Sequence, residues 1–212
     1  MIRPYNKLTV APTAEPVTLN ELQAHVLGYN SADNPELARH IRTARALFER
    51  YTGVSLIQQT WQTALTGFPA DGLIVLPKAP VRSITTVQYY DTAGAIQTVT
   101  ASEYRYDDHG NNAVLQPAIT KSWPETESGR TDAVIITYIT GVYTVQGSPG
   151  DQVDEDTEPE VHFIDRYLLA QQAIKMLVVH LYENRGLVAP VALTETPMGF
   201  QMIVDECRLE FF

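Results

Sequence analysis

The sequence predicts an α+β fold in which helical segments from both ends of the chain pack together and enclose an antiparallel β-rich insert. Two observations lead to this fold class. Near both ends, apolar residues recur every three or four positions, which is the period of amphipathic helices. Between them, residues 57–146 alternate apolar and polar side chains and are punctuated by Gly and Pro, as short strands and turns are. We therefore expect a discontinuous helical domain of residues 17–56 and 160–208, interrupted by the insert.

The first helix is predicted by a capping box. Thr18 is followed three residues later by Glu21, so that the hydroxyl and the carboxylate can bond the backbone N–H groups at the helix start. Val17 precedes the box and can form part of a hydrophobic staple. We expect a short helix that runs to about Gly28.

A second, longer helix is predicted from its start and stop signals. It begins at Asp33 or Asn34, has Pro35 in its first turn and ends at Gly53. Its apolar residues follow the helical period, and we expect them to face the core: Leu37, Ile41, Ala44, Phe48 and Tyr51.

The middle of the chain predicts a small antiparallel sheet, sandwich-like or barrel-like. Residues 91–94 indicate a hairpin loop, and residues 134–136 are apolar on both faces, which favours a central or doubly covered strand. The strand candidates are residues 61–65, 73–76, 81–90, 95–100, 104–106, 113–115 and 133–140.

Residues 147–159 predict a mobile acidic loop. Between Gly147 and Glu160 the chain carries six carboxylates, no basic residue and few apolar ones, so burial cannot offset the entropy of ordering it. Two interpretations stay open, a solvated linker and an acidic arm that contacts a basic partner.

The C-terminal part predicts a strongly apolar helix over residues 170–186, ended by Gly186, and a short helix within residues 200–209 with Ile203 and Val204 inward. Val178 and Val179 widen the apolar stripe, so much of the long helix must be covered. The stripe itself is predicted at Phe163, Tyr167, Ala170, Ile174, Leu177 and Leu181.

The composition excludes several classes of protein. The chain of 212 residues has a formal net charge of −10, which argues against a conventional nucleic-acid-binding module, although an acidic wall would let DNA slide past. The single cysteine, Cys207, excludes an internal disulfide and a four-cysteine zinc site, and we interpret it as a small buried hydrophobe. Neither a signal peptide nor a membrane span is visible, so we expect a protein made in the reducing cytoplasm.

Catalytic motifs are missing from the sequence. It contains no nucleophile elbow, phosphate-binding glycine loop, dinucleotide fingerprint or zincin motif, so we expect no enzyme and no cofactor. Asp107, Asp108 and His109 are the one cluster that resembles a metal or acid–base site, but Gly110 follows them and favours a polar turn.

Several ordered segments together resemble the head-tail connector (adaptor, or head-completion) proteins of tailed bacteriophages. The segments are residues 16–22, residues 37–53, residues 59–61, residues 76–81 leading into 84–90, and residues 180–185. The resemblance implies a virion structural protein that forms a ring, commonly of twelve copies, between the portal of the filled head and the next neck or tail component. It also implies that DNA passes through the bore without sequence-specific binding and that no membrane is a partner.

Two groups of residues are candidates for subunit or partner contacts. Tyr182, Glu183 and Arg185 lie in the last turn of the long helix, where they either cap and pack locally or contact a neighbouring subunit. The apolar end of the chain, with Leu209, Phe211 and Phe212, is expected to dock onto a partner.

Two other functions remain possible from the sequence. One is a carbohydrate- or protein-binding β module on a helical adaptor, with stacking residues Trp61, Tyr89, Tyr90 and Trp123. The other is a hydrolase that uses Asp107, Asp108 and His109.

Overall fold

The computed structural model describes residues 4–108, 112–143, 163–184 and 198–209. In these residues it contains four α-helices and eight β-strands, and the predicted α+β class is confirmed. The described chain divides into two compact units. The helical unit comprises residues 12–57, 142–143, 163–184 and 198–209, and the β unit comprises residues 4–11, 58–108 and 112–141.

The helical unit brings together helices from both ends of the chain. Its helices are α1 (Leu19–Gln23), α2 (Asn34–Thr52), α3 (Ile164–Glu183) and α4 (Met198–Cys207). Helix α3 packs against both α2 and α4. The apolar faces that meet are fully or almost fully buried and include Leu37, Ile41, Phe48, Ile174, Val178, Phe200 and Val204.

Helices α1 and α2 start where the sequence predicts. Thr18 and Glu21 form the expected capping box, and Gly53 takes the left-handed conformation that ends α2, with φ of 83°. Helix α1 is shorter than predicted, because the backbone N–H groups of His25 and Val26 both bond the carbonyl of Leu22 and tighten the chain into a turn. The expected run to Gly28 was therefore wrong.

The apolar stripes of α2 and α3 differ at their last turns from the predicted ones. In α2 the stripe continues from Phe48 to Thr52, four residues on, so Tyr51 is exposed. In α3 it continues from Val178 to Tyr182 at the same spacing, while Leu181 is only half-buried. In α2 the final step is thus four residues instead of the predicted three, whereas in α3 the spacing of four is kept and the buried position moves by one residue.

The β unit contains two antiparallel sheets that share one apolar core. The strands are β1 (Tyr5–Val10), β2 (Gln59–Leu65), β3 (Ile74–Val75), β4 (Val81–Tyr90), β5 (Ile96–Val99), β6 (Tyr104–Asp107), β7 (Val114–Pro117) and β8 (Val134–Thr140). The larger sheet has the order β1-β2-β8-β4-β5, and the smaller has the order β3-β7-β6. Strand β8 is central, as predicted. Leu65, Leu76, Leu115, Ile136 and Tyr138 are among the core residues that both sheets contribute.

Strand β1 is an edge strand that the sequence analysis did not predict. It pairs antiparallel with β2 from Tyr5↔Ala64 to Leu8↔Trp61, with an irregularity before Val10. All six of its residues are exposed, so it has no buried face to produce a clear alternation.

In the helical unit, the residues just before and just after the inserted β unit lie side by side. Val142 N–H donates to the carbonyl of Ser55 over 3.1 Å, and Tyr143 N–H donates to that of Leu56 over 3.2 Å. The chain thus leaves the helical unit after residue 57 and returns to it at residue 142, next to the point of departure.

Candidate subunit interface

Tyr182 is buried inside the helical unit. It is 5% exposed, and its hydroxyl donates to the carboxylate of Asp33, which lies immediately before α2. This bond ties the end of α3 to the start of α2. Glu183, the next residue, is exposed and faces solvent. Of these two predicted contact residues, only Glu183 is accessible to another molecule in this structure.

Leu209 lies in the core of the helical unit, in contrast to the exposed end that we expected. It is 2% exposed, and its backbone N–H donates to the carbonyl of Thr52 over 2.8 Å. A Cβ at Gly53 would lie 3.0 Å from Leu209 Cδ1, so the missing side chain makes room for the leucine. The other predicted contacts, Arg185, Phe211 and Phe212, lie outside the described residues, as does the acidic segment 147–159.

Polar contacts tie α1 and the segment before it to α3. Gln171 Nε2 donates to the carbonyl of Pro16 over 2.7 Å, and Lys175 Nζ lies 3.2 Å from Glu21 Oε1. Burial alone would raise the pKa of Glu21, but the hydrogen bonds from Thr18 and the ammonium of Lys175 outweigh it and lower that pKa. The N-terminal helix is thereby fixed on the C-terminal one.

Arg45 on α2 forms a largely buried ion-pair network. Its Nε lies 2.7 Å from Glu15 Oε2, and its Nη1 lies 2.8 Å from Glu49 Oε2. Glu49 also accepts a bond from the backbone N–H of Leu56 over 2.9 Å. Burial alone would lower the pKa of Arg45, yet the carboxylates of Glu49 and Glu15 raise it. This arginine is therefore satisfied within the protein.

A different set of arginines lies on the exposed side of α2. Arg39, Arg42 and Arg50 are all exposed, and they occupy one face of the helix, since they are spaced by three and then eight residues. Pro35, Thr43 and Ala46 share this face and add no charge. We call it the arginine face. Within the described chain, none of its three guanidinium groups forms a salt bridge.

Helices α3 and α4 together present an exposed apolar face. Its members, which we call the methionine face, are Leu168, Leu169, Met176, Met198 and Met202. Met198 is 80% exposed and Met202 is 68% exposed. The two helices meet closely here, because a Cβ at Gly199 would lie 2.4 Å from the methyl carbon of Met176. Three exposed carboxylates on the same two helices are called its acidic rim: Asp165 lies three residues before Leu168, Glu206 four residues after Met202, and Glu183 two turns beyond Met176.

Neither face was predicted from the sequence. A usable signal was present on α2, where residues 39, 42, 46 and 50 recur at spacings of three and four and include three arginines. The methionine face had no such signal, because it is assembled from two helices separated along the chain.

The four candidate stacking aromatics of the β unit make contacts within the chain. Trp123 stacks on Phe68 with ring centroids 4.6 Å apart, and Phe68 also contacts Tyr89. The guanidinium of Arg130 lies 3.4 Å from the centroid of Tyr90, and the ammonium of Lys78 lies 4.9 Å from that of Trp61. One face of Trp61, Tyr90 and Trp123 is therefore already occupied, and Tyr89 meets Phe68 at a tilt of 60°.

The candidate catalytic cluster does not form a site in the described residues. Asp107 ends β6 and Asp108 follows it, both exposed, while His109 lies outside the described residues. No three His, Cys, Asp or Glu side chains in the described ranges could hold a metal ion. Cys207 is buried, as predicted, and burial raises the pKa of its thiol to about 11, which suits an inert core residue.

No helix in the described part of the chain is both long enough and apolar enough to cross a membrane.

Comparisons with known proteins identify similar structures. No protein-family model and no curated protein matches the chain. Among solved structures, it is similar to a chain of the virion of the native gene transfer agent (GTA) particle, with a TM-score of 0.69 and 22% identity over 98% of this chain and 96% of that chain.

Two structures of GTA necks are similar to the same extent. For the neck of the native GTA particle computed with C12 symmetry, the TM-score is 0.67 and the identity 22%, covering 99% of this chain and 97% of that one. For the neck of the empty particle computed with C6 symmetry, the values are 0.64 and 21%, covering 100% and 97%. The chain shares its fold with these particle and neck proteins, in agreement with the predicted resemblance to head-tail connectors.

Proposed function

We propose that this protein is a structural component of the neck of a virion or virus-like particle. There it forms a ring that joins the portal of the DNA-filled head to the next neck or tail component, with DNA passing through the bore. The observation that carries the proposal is the likeness to neck structures over almost the whole of both chains. Both the helical unit and the inserted β unit fall within the matched length, so the proposal does not rest on one common motif.

A ring of twelve copies is the stoichiometry we propose. The C12 symmetry of one similar neck supports it. A closed ring needs two different complementary surfaces on each copy. The helical domain, residues 17–56 and 160–208, would form the wall around the bore, since long helices pack well side by side, and residues 57–146 would form an appended β domain.

A purely structural role, without catalysis, is part of the proposal. The buried thiol, the dispersed carboxylates and the occupied aromatic faces of the described residues support it. Glu183, Arg185, Phe211 and Phe212 are proposed as contacts to a neighbouring subunit or to the portal. Leu209 would anchor the end of the chain in the helical core just before these phenylalanines.

Electron microscopy with the portal protein of the same particle tests this function. The purified chain is imaged alone and after mixing with portal rings, because the portal can template assembly. We expect class averages that show an additional ring with twelve-fold symmetry on one end of the portal. A chain that stays monomeric and does not bind the portal would contradict the proposal.

A shortened variant tests the role of the end of the chain. Deleting residues 210–212 removes both phenylalanines and keeps Leu209 with its bond to Thr52, so the helical core stays intact. We expect weaker capture by the portal, measured as the fraction of decorated portal rings. Undiminished decoration would remove these residues from the interface.

A further inference from the structure

We propose that the arginine face of one copy docks on the methionine face and acidic rim of the next copy. The inference rests on the proposed ring and names the two surfaces that build it. The arginine face is Arg39, Arg42 and Arg50 on α2, and the complementary surface lies on α3 and α4.

The arginine face differs from three other basic positions of the helical unit, which are paired with carboxylates. Arg45, Lys175 and Arg208 each lie within 4.0 Å of a carboxylate, whereas Arg39, Arg42 and Arg50 pair with none in the described chain. Arg39 and Arg42 are also neighbours on the helix, and like charges at such spacing destabilise a helix slightly. In a chain of net charge −10, this positive face is a local exception that a negative surface would stabilise.

The methionine face has the opposite character. Its members are apolar, and the acidic rim on the same two helices adds three exposed carboxylates, those of Asp165, Glu183 and Glu206. No salt bridge within the described residues involves these three carboxylates. Of the two cations nearby, Arg208 pairs with Asp205 at 3.3 Å and Arg166 lies over the ring of Phe163. Exposed apolar side chains clustered in this way mark interaction surfaces, and methionine adapts its shape to a partner.

The chemistry of the two surfaces is complementary. The apolar stems of arginine side chains cover hydrophobic surface while their charged ends remain at its margin. Three arginines laid across the methionine face would therefore cover its leucines and methionines and bring guanidinium groups to the rim carboxylates. Ala46 and Thr43, between the arginines, are small enough to permit a close approach.

The position of the two surfaces on one copy makes the contact heterologous. The arginine face is the side of α2 opposite to the side that packs on α3, and the methionine face lies on the exposed side of α3 and on α4. Within one copy the two surfaces cannot contact each other, but each can contact the complementary surface of a neighbouring copy. Head-to-tail contacts of this kind close into a ring when the rotation between copies permits.

Double-stranded DNA is the other ligand that arginines would attract. It would account for the charge of the arginine face but would leave the apolar methionine face exposed, and its phosphates would be repelled by the acidic rim. A second copy accounts for both surfaces at once, and we therefore assign the site to it.

Charge reversal tests the contact. The first variant combines Arg39→Glu and Arg42→Glu, the second combines Glu183→Arg and Glu206→Arg, and the third carries all four changes. Ring formation is measured by mass photometry with portal rings present, and circular dichroism checks that each variant is folded. Because like charges across an interface are costly, we expect either double variant to raise the concentration for half-assembly at least about tenfold. The quadruple variant, which restores opposite charges across the contact, is expected to assemble at a concentration close to that of the wild type.

Two controls separate the site from general effects. Lys121→Glu reverses an exposed charge in the β unit and is expected to leave assembly unchanged. On the apolar side, Met202→Asp is expected to impair assembly, whereas Leu27→Asp, at a position 84% exposed between α1 and α2, is not.

Each other outcome overturns the inference in a recognisable way. Wild-type rings with unaffected reversal variants would overturn this interface and leave the proposed function intact. Weaker ring assembly in both double variants, without recovery of assembly in the quadruple variant, would show that the two surfaces do not meet. Loss of binding to a duplex DNA probe with normal ring formation would reassign the arginine face to DNA. A wild-type chain that forms no ring would overturn both proposals.

Discussion

At the scale of single residues, Gly53 has two roles that the sequence reveals only in part. Its position after the apolar stripe of α2 predicted a helix end, and the left-handed conformation follows from that. Its second role, making room for Leu209, could not be predicted, because the two residues are far apart in the sequence. For the same reason Leu209 was taken for part of an exposed end.

Replacing Gly53 by alanine separates these two roles. Gly53→Ala introduces a strained left-handed residue and a Cβ 3.0 Å from Leu209, whereas Gly28→Ala introduces only the strain, with φ of 70° and no heavy atom within 4 Å. We expect Gly28→Ala to lower the free energy of unfolding by about 1 kcal/mol and Gly53→Ala to lower it by more. Urea denaturation measures both. Equal losses would show that Leu209 adapts without cost.

At the scale of elements, the starts of α1 and α2 and the end of α2 were predicted from the sequence, whereas the end of α1 and the edge strand β1 were not. The reason is physical: the capping box of α1 is a local interaction, visible in four consecutive residues. Strand β1 owes its conformation to pairing with β2, more than fifty residues away, and its exposed side chains show no buried face. A strand that forms through such long-range pairing, with no buried face, cannot be predicted from the pattern of its own residues.

The capping box allows a prediction with a defined pH dependence. Thr18→Ala removes the hydroxyl that accepts from Glu21 N–H and donates to Glu21 Oε2, so we expect a loss of about 1 kcal/mol in the free energy of unfolding at neutral pH. The hydroxyl bond to Oε2 is one cause of the lowered folded-state pKa of Glu21, together with the backbone N–H of Thr18, which the variant keeps, and the ammonium of Lys175. The contribution of that bond is complete above the ordinary value of 4.5 and is lost as the pH falls through the folded-state pKa, whereas the bond from Glu21 N–H to the hydroxyl does not depend on this titration.

Denaturation of the wild type and the variant across the acid range measures this difference. Thr43→Ala is the matched control, since Thr43 lies on the exposed face of α2 and its hydroxyl bonds only the carbonyl of Arg39 in the same helix. We expect that control to be almost neutral at every pH. A gap between wild type and Thr18→Ala that persists unchanged well below pH 4.5 would contradict the role of the Glu21 carboxylate.

At the scale of the whole molecule, the fold class was predictable from the sequence, whereas of the two proposed interaction surfaces one was not. Two helical ends around a β-rich middle can be recognised from periodicity alone, because burial imposes a pattern on each element separately. An interaction surface imposes no such pattern when two helices share it, as α3 and α4 share the methionine face. The arginine face, confined to α2, could have been found in the sequence.

The distribution of tryptophan and cysteine provides a test of the two units. The chain has two tryptophans, Trp61 and Trp123, and both lie in the β unit, whereas its one cysteine, Cys207, is buried in the helical unit. Each unit has its own apolar core, so we expect different urea midpoints from tryptophan fluorescence and from thiol labelling of Cys207. Coincident curves would show that the two units unfold as one.

The backbone pairing of residues 55–56 with residues 142–143 has a consequence for how such a protein can diversify. Because the chain leaves and re-enters the helical unit at neighbouring residues, the inserted β unit could become longer or shorter, or be replaced, without a change in the backbone of the helical unit. Strand β1 limits this freedom. It precedes the helical unit in sequence but pairs with β2 of the inserted β unit, so replacing the insert would also require a change in the first eleven residues.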